Sequence, residues 1–379
     1  MKFSAFKEDL ETGMKDAVSI ASKNTMQITS HILLSAKDGK LEIRGTDLEM
    51  TGVYRIPAEI QTEGEIGLPS RQFREVVRAF AKKARVSFEK SNGKTLALKM
   101  KTGKGTLKLP GLEPESFPNK PEFSATDVSF QISPQILRNH FESVMFACSK
   151  DDFRPNLQGV HLEISGKEIK TAATNGHLLT ERKSYLSEPV SQEKISVIIP
   201  QPALDKLIGR LQGKDPVSVT ISTNNIRFVF GEGAIYARLI DDEFVQYQKM
   251  VPEEFAYQIS TDRDGLYSTV KRLGVFTGSD SRLIALTFGE GKVQTRVVDS
   301  YNGNEGVETV VCDYAGTDVF RIGFNALYLR DMLHRIESEK VIFKMNDSEK
   351  AVVLGQNGSD AGSYLLLIMP MRIEEPSDN

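Results

Sequence analysis

The stretch GKLEIRGTDLEMTG (39–52) joins a Gly-Lys turn, an alternating strand and a polar turn at Asp47. The same order of features returns twice, in GKEIKTAATNGHLLT (166–180) with Asn175 at the polar turn, and in GKVQTRVVDSYNG (291–303) with Asp299. The three polar positions are 128 and 124 residues apart. A spacing of about a third of the chain indicates an internal repeat.

A second marker has the same period, and each of its copies predicts a short strand, a turn and an amphipathic helix. Its copies are IGLPSRQFREVVRAF (66–80), SVIIPQPALDKLIGRL (196–211) and FRIGFNALYLRDMLHRI (320–336). Pro69, Pro200 and Phe324 hold matching positions, 131 and 124 residues apart. Two independent markers with one period predict three tandem copies of a single domain.

We place the three domains at residues 1–127, 128–254 and 255–379, because the opening pattern of a strand followed by a helix restarts near both boundaries. Each copy is predicted to be α+β, with two helices on one face of antiparallel sheet, since the alternation typical of parallel sheets is missing. In the first copy the helices are predicted at 7–22 and 70–83. Its strands are predicted at 31–36, 40–46, 51–56, 85–89, 95–100 and 104–109.

The second helix of each copy has cationic residues on the face opposite its apolar side chains. They are Arg71, Arg74, Arg78 and Lys82 in the first copy, Lys206 and Arg210 in the second, and Arg330 in the third. A solvated helix face accounts for any one of these stripes. Their recurrence in three copies favours a shared binding surface.

Composition bounds the remaining possibilities. The 379 residues are 40% hydrophobic and 26% charged, which is typical of a globular protein. A net charge of −3 argues against binding nucleic acid by overall charge alone, but it allows a local basic surface. With no apolar run of about 20 residues and an acidic opening segment, we expect a cytoplasmic protein without membrane association. Cys148 and Cys312 lie too far apart in the sequence to suggest a zinc site.

Catalytic motifs are missing from the sequence, so neither an enzyme nor a cofactor is predicted. Two hydrolase alternatives stay open at this point. His177 stands at a turn where a catalytic imidazole could lie, although a packed or hydrogen-bonding histidine is the commoner role. Asp47 and Glu49 could act as acid and base, although aspartate at a turn more often caps the backbone.

Five short motifs, in order along the whole chain, resemble the family of bacterial DNA polymerase III beta subunits, the replicative sliding clamps. They are GTDLEM (45–50), ATNGH (173–177), NNIR (224–227), IGFN (322–325) and MPMRI (369–373). The resemblance implies a crescent of three clamp domains that dimerises head to tail into a ring around double-stranded DNA. It also implies a non-catalytic processivity factor that is loaded by an ATP-driven clamp loader and tethers the replicative polymerase. Repair and translesion polymerases and other clients would bind through short linear motifs.

The resemblance also assigns residues to three surfaces. The DNA-facing residues would be the helical cations named above together with Lys23, Lys150 and Arg154. The dimer interface would use Lys104, Leu107 and Leu109 on one edge, and Val275, Phe276, Glu305 and Glu308 on the other. The pocket for partner motifs, between the second and third domains, would comprise Leu157, Thr174, Gly176, His177, Leu178, Leu179, Lys249, Met250, Asn325, Tyr328, Met369, Pro370, Met371 and Arg372.

The pocket residues give a reason for the unusual segment YLLLIMPMR (364–372), where a buried last strand accounts for Leu365–Ile368 but not for Met-Pro-Met. Flexible methionines can adapt to several ligands. Three positions depart from the family pattern, namely Leu178, Val245 and Lys249, and we expect client preferences to differ accordingly. The acidic tail Glu374–Asn379 is expected to be disordered.

Overall fold

The structure is a computed structural model. It describes residues 1–21, 28–92, 96–103, 105–278, 281–314, 316, 319–356 and 363–373. Lys23, Lys104 and the tail from Glu374 to Asn379 lie outside the described residues, so the predictions for them stay predictions. The chain forms two compact units. The first comprises Met1–Arg138 with Ile199–Ile240, and the second Asn139–Ile198 with Asp241–Asn379.

Six α-helices lie within the described ranges, two for each predicted domain. They are α1 Lys7–Ala21, α2 Ser70–Ala79, α3 Pro134–Val144, α4 Gln201–Ile208, α5 Arg263–Leu273 and α6 Ala326–Leu333. None of them combines the length and apolar character that a bilayer span requires.

The strands of the first predicted domain are β1 Lys2–Phe6, β2 His31–Lys37, β3 Lys40–Thr46, β4 Met50–Pro57, β5 Glu59–Thr62, β6 Gly64–Pro69, β7 Arg85–Asn92, β8 Leu96–Thr102 and β9 Gly105–Pro110. Those of the second are β10 Val128–Ile132, β11 Gly159–Gly166, β12 Glu168–Thr174, β13 Leu178–Tyr185, β14 Ser191–Pro200, β15 Val217–Ile221, β16 Asn225–Phe230 and β17 Gly233–Arg238. Those of the third are β18 Tyr257–Asp262, β19 Leu283–Gly289, β20 Lys292–Asp299, β21 Asn304–Asp313, β22 Phe320–Asn325, β23 Lys340–Met345, β24 Val352–Gln356 and β25 Tyr364–Ile368.

The strands form antiparallel sheets in both units. The first unit has a five-stranded sheet, in the order β5-β1-β7-β8-β9, and an eight-stranded sheet, in the order β10-β15-β16-β17-β4-β3-β2-β6. The second unit has one twelve-stranded sheet, in the order β14-β11-β12-β13-β25-β24-β23-β18-β21-β20-β19-β22. The prediction of helices combined with antiparallel sheet is confirmed.

Helix α1 packs directly on the eight-stranded sheet. Its apolar side chains Leu10, Met14 and Val18 are fully buried in the core of the first unit. The approach is close at Gly45 of β3, where an added Cβ would lie 2.0 Å from the carbonyl oxygen of Ala17. Only glycine permits this contact between helix and strand backbones.

Two details of the first domain differ from the sequence prediction. Helix α2 ends at Ala79 rather than at residue 83, because the backbone of Phe80 turns to an extended conformation with ψ of 153° and places its ring in the core. Lys82 therefore lies beyond the helix. Strand β5, which is mostly exposed, was missed because it lacks the apolar alternation that marks a half-buried strand.

Strand β25 confirms the prediction of a buried last strand. It pairs with β13 on one side and β24 on the other. Leu366, Leu367 and Ile368 are each no more than 3% exposed. The apolar run is thus a central strand of the twelve-stranded sheet.

A buried histidine links α3 to this sheet. His140 is 1% exposed, and its ring nitrogens lie 3.0 Å from Thr171 Oγ1 and 2.7 Å from Ser184 Oγ. Burial, aided by the nearby Arg182 guanidinium, lowers the pKa of His140 to about 4. The imidazole is therefore neutral in the folded chain at neutral pH.

This histidine makes stability depend on pH. Because its pKa is about 4 when folded and about 6.5 when unfolded, the unfolded chain binds the extra proton between these values, and stability is lost as the pH falls through this window. We expect His140 to account for about 2 kcal/mol of the loss between pH 7.5 and pH 5. Urea titrations of the wild type and His140→Gln at both pH values measure this contribution. Equal pH dependence in the two proteins would contradict it.

Candidate functional site

The polar turn of each repeat has the same hydrogen-bonded geometry. One side-chain oxygen accepts the backbone N–H groups two and three residues further along. The distances are 3.1 and 2.7 Å from Glu49 and Met50 to Asp47 Oδ1, 2.9 and 3.0 Å from His177 and Leu178 to Asn175 Oδ1, and 3.2 and 3.3 Å from Tyr301 and Asn302 to Asp299 Oδ1. We call this feature the repeat turn. Asp47 therefore caps a turn, which is the commoner of the two roles that the sequence allows for it.

In the second copy a threonine braces the repeat turn. Thr174 Oγ1 donates to the carbonyl of Leu178 at 2.6 Å and accepts the N–H of Gly176 at 3.1 Å. Gly176 has φ of +89°, which a side chain would strain, and an added Cβ would lie 3.1 Å from Arg154 Nη1. Because Gly176 has no side chain, the backbone of the turn is uncovered beside the exposed guanidinium group of Arg154.

Beneath this turn lie three of the predicted pocket leucines. Leu157, Leu178 and Leu179 are 5%, 2% and 3% exposed. They are core residues that support the site from below, and in this structure they offer little surface to a ligand.

Strand β22 and helix α6 place residues of the third copy next to the repeat turn of the second copy. Asn325 caps α6 by accepting the N–H groups of Leu327 at 3.0 Å and Tyr328 at 3.3 Å. The ring of Tyr328 lies 6.4 Å from that of His177, at an interplanar angle of 21°. Asn325, rather than Phe324, occupies the cap position that Pro69 and Pro200 hold in the other copies.

The methionine strip, Met369-Pro370-Met371, joins these two parts. The N–H of Met369 donates to the carbonyl of His177, and that of Met371 to the carbonyl of Gly323, each at 2.8 Å. Pro370 has no N–H and lies between the two anchored positions. The exposed side chain of Met369 faces solvent. The structure therefore brings together predicted pocket residues from three separate segments.

Lys249 and Met250 lie on a short 3₁₀ turn, Tyr247–Met250, where both are exposed. The hydroxyl of the buried Tyr247 donates to the Glu181 carboxylate and fixes this turn to β13. Burial and this carboxylate raise the pKa of Tyr247.

A cavity of about 500 Å³ opens beside the methionine strip. Its walls include three predicted site residues, namely Pro370, Met371 and Arg372, and residues that sequence reasoning missed. The missed residues are Arg321, Ile322, Gly323, Ser348, Glu349 and Ile373. No local sequence pattern marks Ser348 and Glu349, because they follow β23 and reach the cavity only through the sheet order.

The predicted DNA-facing cations have different environments. Arg71, Arg78, Lys82, Lys150 and Arg154 are exposed. Two other cations of this set make contacts within the first unit, namely Lys206 on α4 and Arg210, which follows the end of α4 at Ile208. Lys206 donates to Ser19, while Arg210 pairs with Asp16 and stacks on Tyr54 with 5.1 Å between its Cζ and the ring centre.

Lys206 and Arg210 therefore both contact polar side chains of α1. Two other helical cations are also constrained. Arg330 pairs with the adjacent Asp331 at 2.8 Å, and Arg74 is partly buried.

Two sheet edges carry the residues predicted for subunit contact. Strand β9 is the last strand of the five-stranded sheet, with Leu107 at 45% exposure. Leu109 is 7% exposed and belongs to the core of the first unit, so its prediction as a surface contact is wrong. Leu107 and Leu109 lie on the same face of β9, because side chains alternate along a strand. Only the Leu109 end of that face is covered by the core.

The other edge is β21, which pairs with β18 only at Cys312 and Asp313. Among the described residues, the segment from Asn304 to Val311 therefore pairs on one side only, with β20. Val275 lies on the short 3₁₀ turn that follows α5 and is 80% exposed.

The two acidic residues predicted for this edge already have partners within the chain. Glu305 pairs with Arg296 at 2.8 Å. Arg272 Nε donates to Glu308 at 2.9 Å, and this guanidinium lowers the pKa of the Glu308 carboxyl. Sequence reasoning missed the exposed Val307 and Val311, whose side chains lie on the same face of β21 as that of Glu305.

No group of three His, Cys, Asp or Glu side chains arranged for a metal ion occurs in the described part of the chain. Cys148 and Cys312 are both buried and are not joined in a disulfide.

Comparisons with known proteins agree along the chain. Family models for the DNA polymerase III beta subunit match residues 1–121 (N-terminal domain), 131–246 (central domain) and 248–372 (C-terminal domain). The beta sliding clamp of Escherichia coli K12 is 27% identical over 378 residues, covering 98% of this chain and all of the relative. That of Pseudomonas putida is 28% identical over 357 residues, covering 93% and 95%.

Solved structures show the same similarity. The DNA polymerase III beta subunit of Pseudomonas aeruginosa superposes with a TM-score of 0.91 at 26% identity, covering 98% of this chain and 100% of that one. The beta sliding clamp of Caulobacter crescentus gives 0.92 at 26% identity, covering 98% and 99%. The domain boundaries at 127/128 and 254/255 stay predictions.

Gly323 should be required for the position of the methionine strip. An alanine Cβ there would lie 2.7 Å from the carbonyl oxygen of Met371 and 2.8 Å from Leu283 Cδ1. We expect Gly323→Ala to break the Met371 N–H bond and to accelerate hydrogen exchange of that amide at least about tenfold. Gly209→Ala, where the nearest atom would be 3.7 Å away, is the control. Unchanged exchange at Met371 would contradict the expectation.

Proposed function

This chain belongs to the family of bacterial DNA polymerase III beta subunits, and we propose that it is a sliding clamp that encircles duplex DNA as a head-to-tail homodimeric ring. The observation that carries the proposal is the triplication: three family models cover the chain, and the repeat turn has the same hydrogen bonds in each copy. The family is non-catalytic, and its members act as processivity factors in DNA replication.

Ring closure is supported by the two open sheet edges. Strand β9 of one protomer would pair with β21 of the next, extending one sheet into the other and satisfying backbone groups that are otherwise exposed. Lys108 on β9 and Lys101 on the neighbouring β8 bring positive charge to the first edge. Glu305 and Glu308 bring negative charge to the second, although each also pairs with an arginine of its own chain. Because different surfaces meet, the contact is heterologous, and it closes into a ring after two subunits.

Sequence-independent binding to DNA follows from phosphate contacts. Arg71 and Arg78 on α2, with Lys150 and Arg154 before β11, are the exposed cations that we assign to the DNA backbone. A net charge of −3 keeps the overall attraction to DNA small. A ring retained by topology needs only weak contacts, which allow it to slide.

The site around the methionine strip is proposed as the docking site for short linear motifs. Met250 and Met369 supply exposed thioether side chains that can adapt to different apolar residues. The clients would be the replicative polymerase, the clamp loader, and repair and translesion polymerases. Lys249 stands where the family commonly has arginine and cannot form a bidentate fork with a carboxylate, so motif preferences should differ.

Tethering explains how a binding protein raises the processivity of an enzyme. A polymerase attached to a ring stays at a high effective concentration near the primer end after each dissociation. The ATP-driven loader would open and close the ring, and cytoplasmic location is part of the proposal.

Retention on circular DNA tests encirclement. After loading onto a nicked plasmid, the protein should co-elute with the DNA in gel filtration and should be lost when a restriction enzyme linearises the circle. The physical reason is that a topologically linked ring can leave only over an end. A scaffold that never encircles DNA would be retained equally on both forms, and that result would contradict the proposed function.

The exposed apolar residue Val275 tests the subunit interface. We expect Val275→Asp to weaken dimerisation at least about tenfold, because a carboxylate would be desolvated on association. Sedimentation velocity over a range of concentrations measures the effect, and circular dichroism checks the fold. Tyr185→Asp, at a residue that is 67% exposed and outside the proposed interface, is the control. Equal dimerisation of both variants would contradict the assignment.

A further inference from the structure

The cavity beside the methionine strip has charged walls as well as apolar ones. Arg321 enters from β22 and Arg372 follows the strip directly. Glu349 enters from the turn after β23. Backbone and apolar atoms of Gly323 and Met371 form the wall between these charges. Of these residues, only Met371 and Arg372 were among those implied by the family resemblance.

Both guanidinium groups are available to a ligand. Arg321 and Arg372 are exposed, and within the described part of the chain neither side chain makes a hydrogen bond or an ion pair. Other arginines differ, since Arg210 pairs with Asp16 and Arg330 with Asp331. Two unpartnered arginines on one cavity are thus a local excess of positive charge.

The turn that carries Glu349 is fixed by its neighbours. Asp347 Oδ1 accepts the N–H groups of Glu349 at 2.9 Å and Lys350 at 2.8 Å. Lys350 Nζ lies 3.0 Å from Asp347, so the nearest lysine already has a carboxylate partner. The negative charge of the Glu349 carboxylate therefore disfavours binding of a second negative charge in the cavity.

We propose that this cavity binds an acidic residue of the partner segment whose apolar residues lie on the methionine strip. This rests on the proposed docking function of the strip. Arg321 and Arg372 would hold the carboxylate through charge-assisted hydrogen bonds, for which the planar guanidinium group is well suited. Glu349 limits how much negative charge the segment can carry. The sign of the charge next to the apolar motif is therefore a specificity determinant of this chain.

Two fluorescent peptides test the assignment. Both contain the same leucine–phenylalanine segment, and it is flanked on both sides by Asp in one peptide and by Asn in the other. Anisotropy titrations at low salt with the full chain should show about three- to tenfold tighter binding of the Asp peptide. Arg321→Gln should bring the affinity for the Asp peptide close to that for the Asn peptide. Glu349→Gln should increase the preference.

The outcomes separate this inference from the docking function. Failure of both peptides to bind would overturn the docking site itself, whereas equal binding of both by the full chain would overturn only the acidic preference. The same titrations with a chain ending at Ile373 test the acidic residues Glu374 and Glu375 as the occupant. A preference in both chains supports binding of a partner carboxylate. A preference that appears only in the shortened chain would overturn it in favour of the chain's own tail.

Discussion

The structure depends on one short-range interaction, in which a side-chain oxygen of Asp or Asn accepts two backbone N–H groups just beyond a strand. This bond is local, so the sequence can specify it with one residue, and it occurs at Asp47, Asn175 and Asp299. In each copy it fixes where the chain reverses between neighbouring strands. In the second copy it also places His177, whose carbonyl receives the N–H of Met369, at the edge of the proposed docking site. A turn that organises the fold thereby also positions the site.

Features that depend on nearby residues could be predicted from the sequence. The repeat, the strands that alternate in polarity and the buried last strand are of this kind. Features set by distant partners could not. The apolar periodicity around α4 carries no information about the contact between Arg210 and Asp16, which are 194 residues apart. In the same way, an edge strand with two leucines does not reveal that Leu109 enters the core while Leu107 remains outside. The charged wall at Arg321 and Glu349 depends on sheet order, which local patterns do not determine.

Charge is distributed according to function. Exposed cations on α2 and before β11 are suited to weak, non-specific phosphate contacts, and the overall negative charge keeps these contacts from becoming tight. Arg210 is paired with Asp16 of α1, so it stabilises the first unit and contributes less charge to the surface, while Lys206 donates to Ser19 of the same helix. A clamp that slides needs this restraint, because each additional strong phosphate contact would slow its movement along DNA.

Pro370 has a consequence for how the docking site can adapt. The residues on either side of it are each tied by an amide nitrogen to a different neighbouring strand or turn. If the segment slipped by one residue, the proline nitrogen, which has no hydrogen, would face a carbonyl group and one bond would be lost. The backbone is thus locked in register, and the spacing between the Cα atoms of Met369 and Met371 is constant. Variety among ligands must be accommodated by rotation about the methionine side-chain bonds alone, so the site adapts in shape while its frame stays rigid.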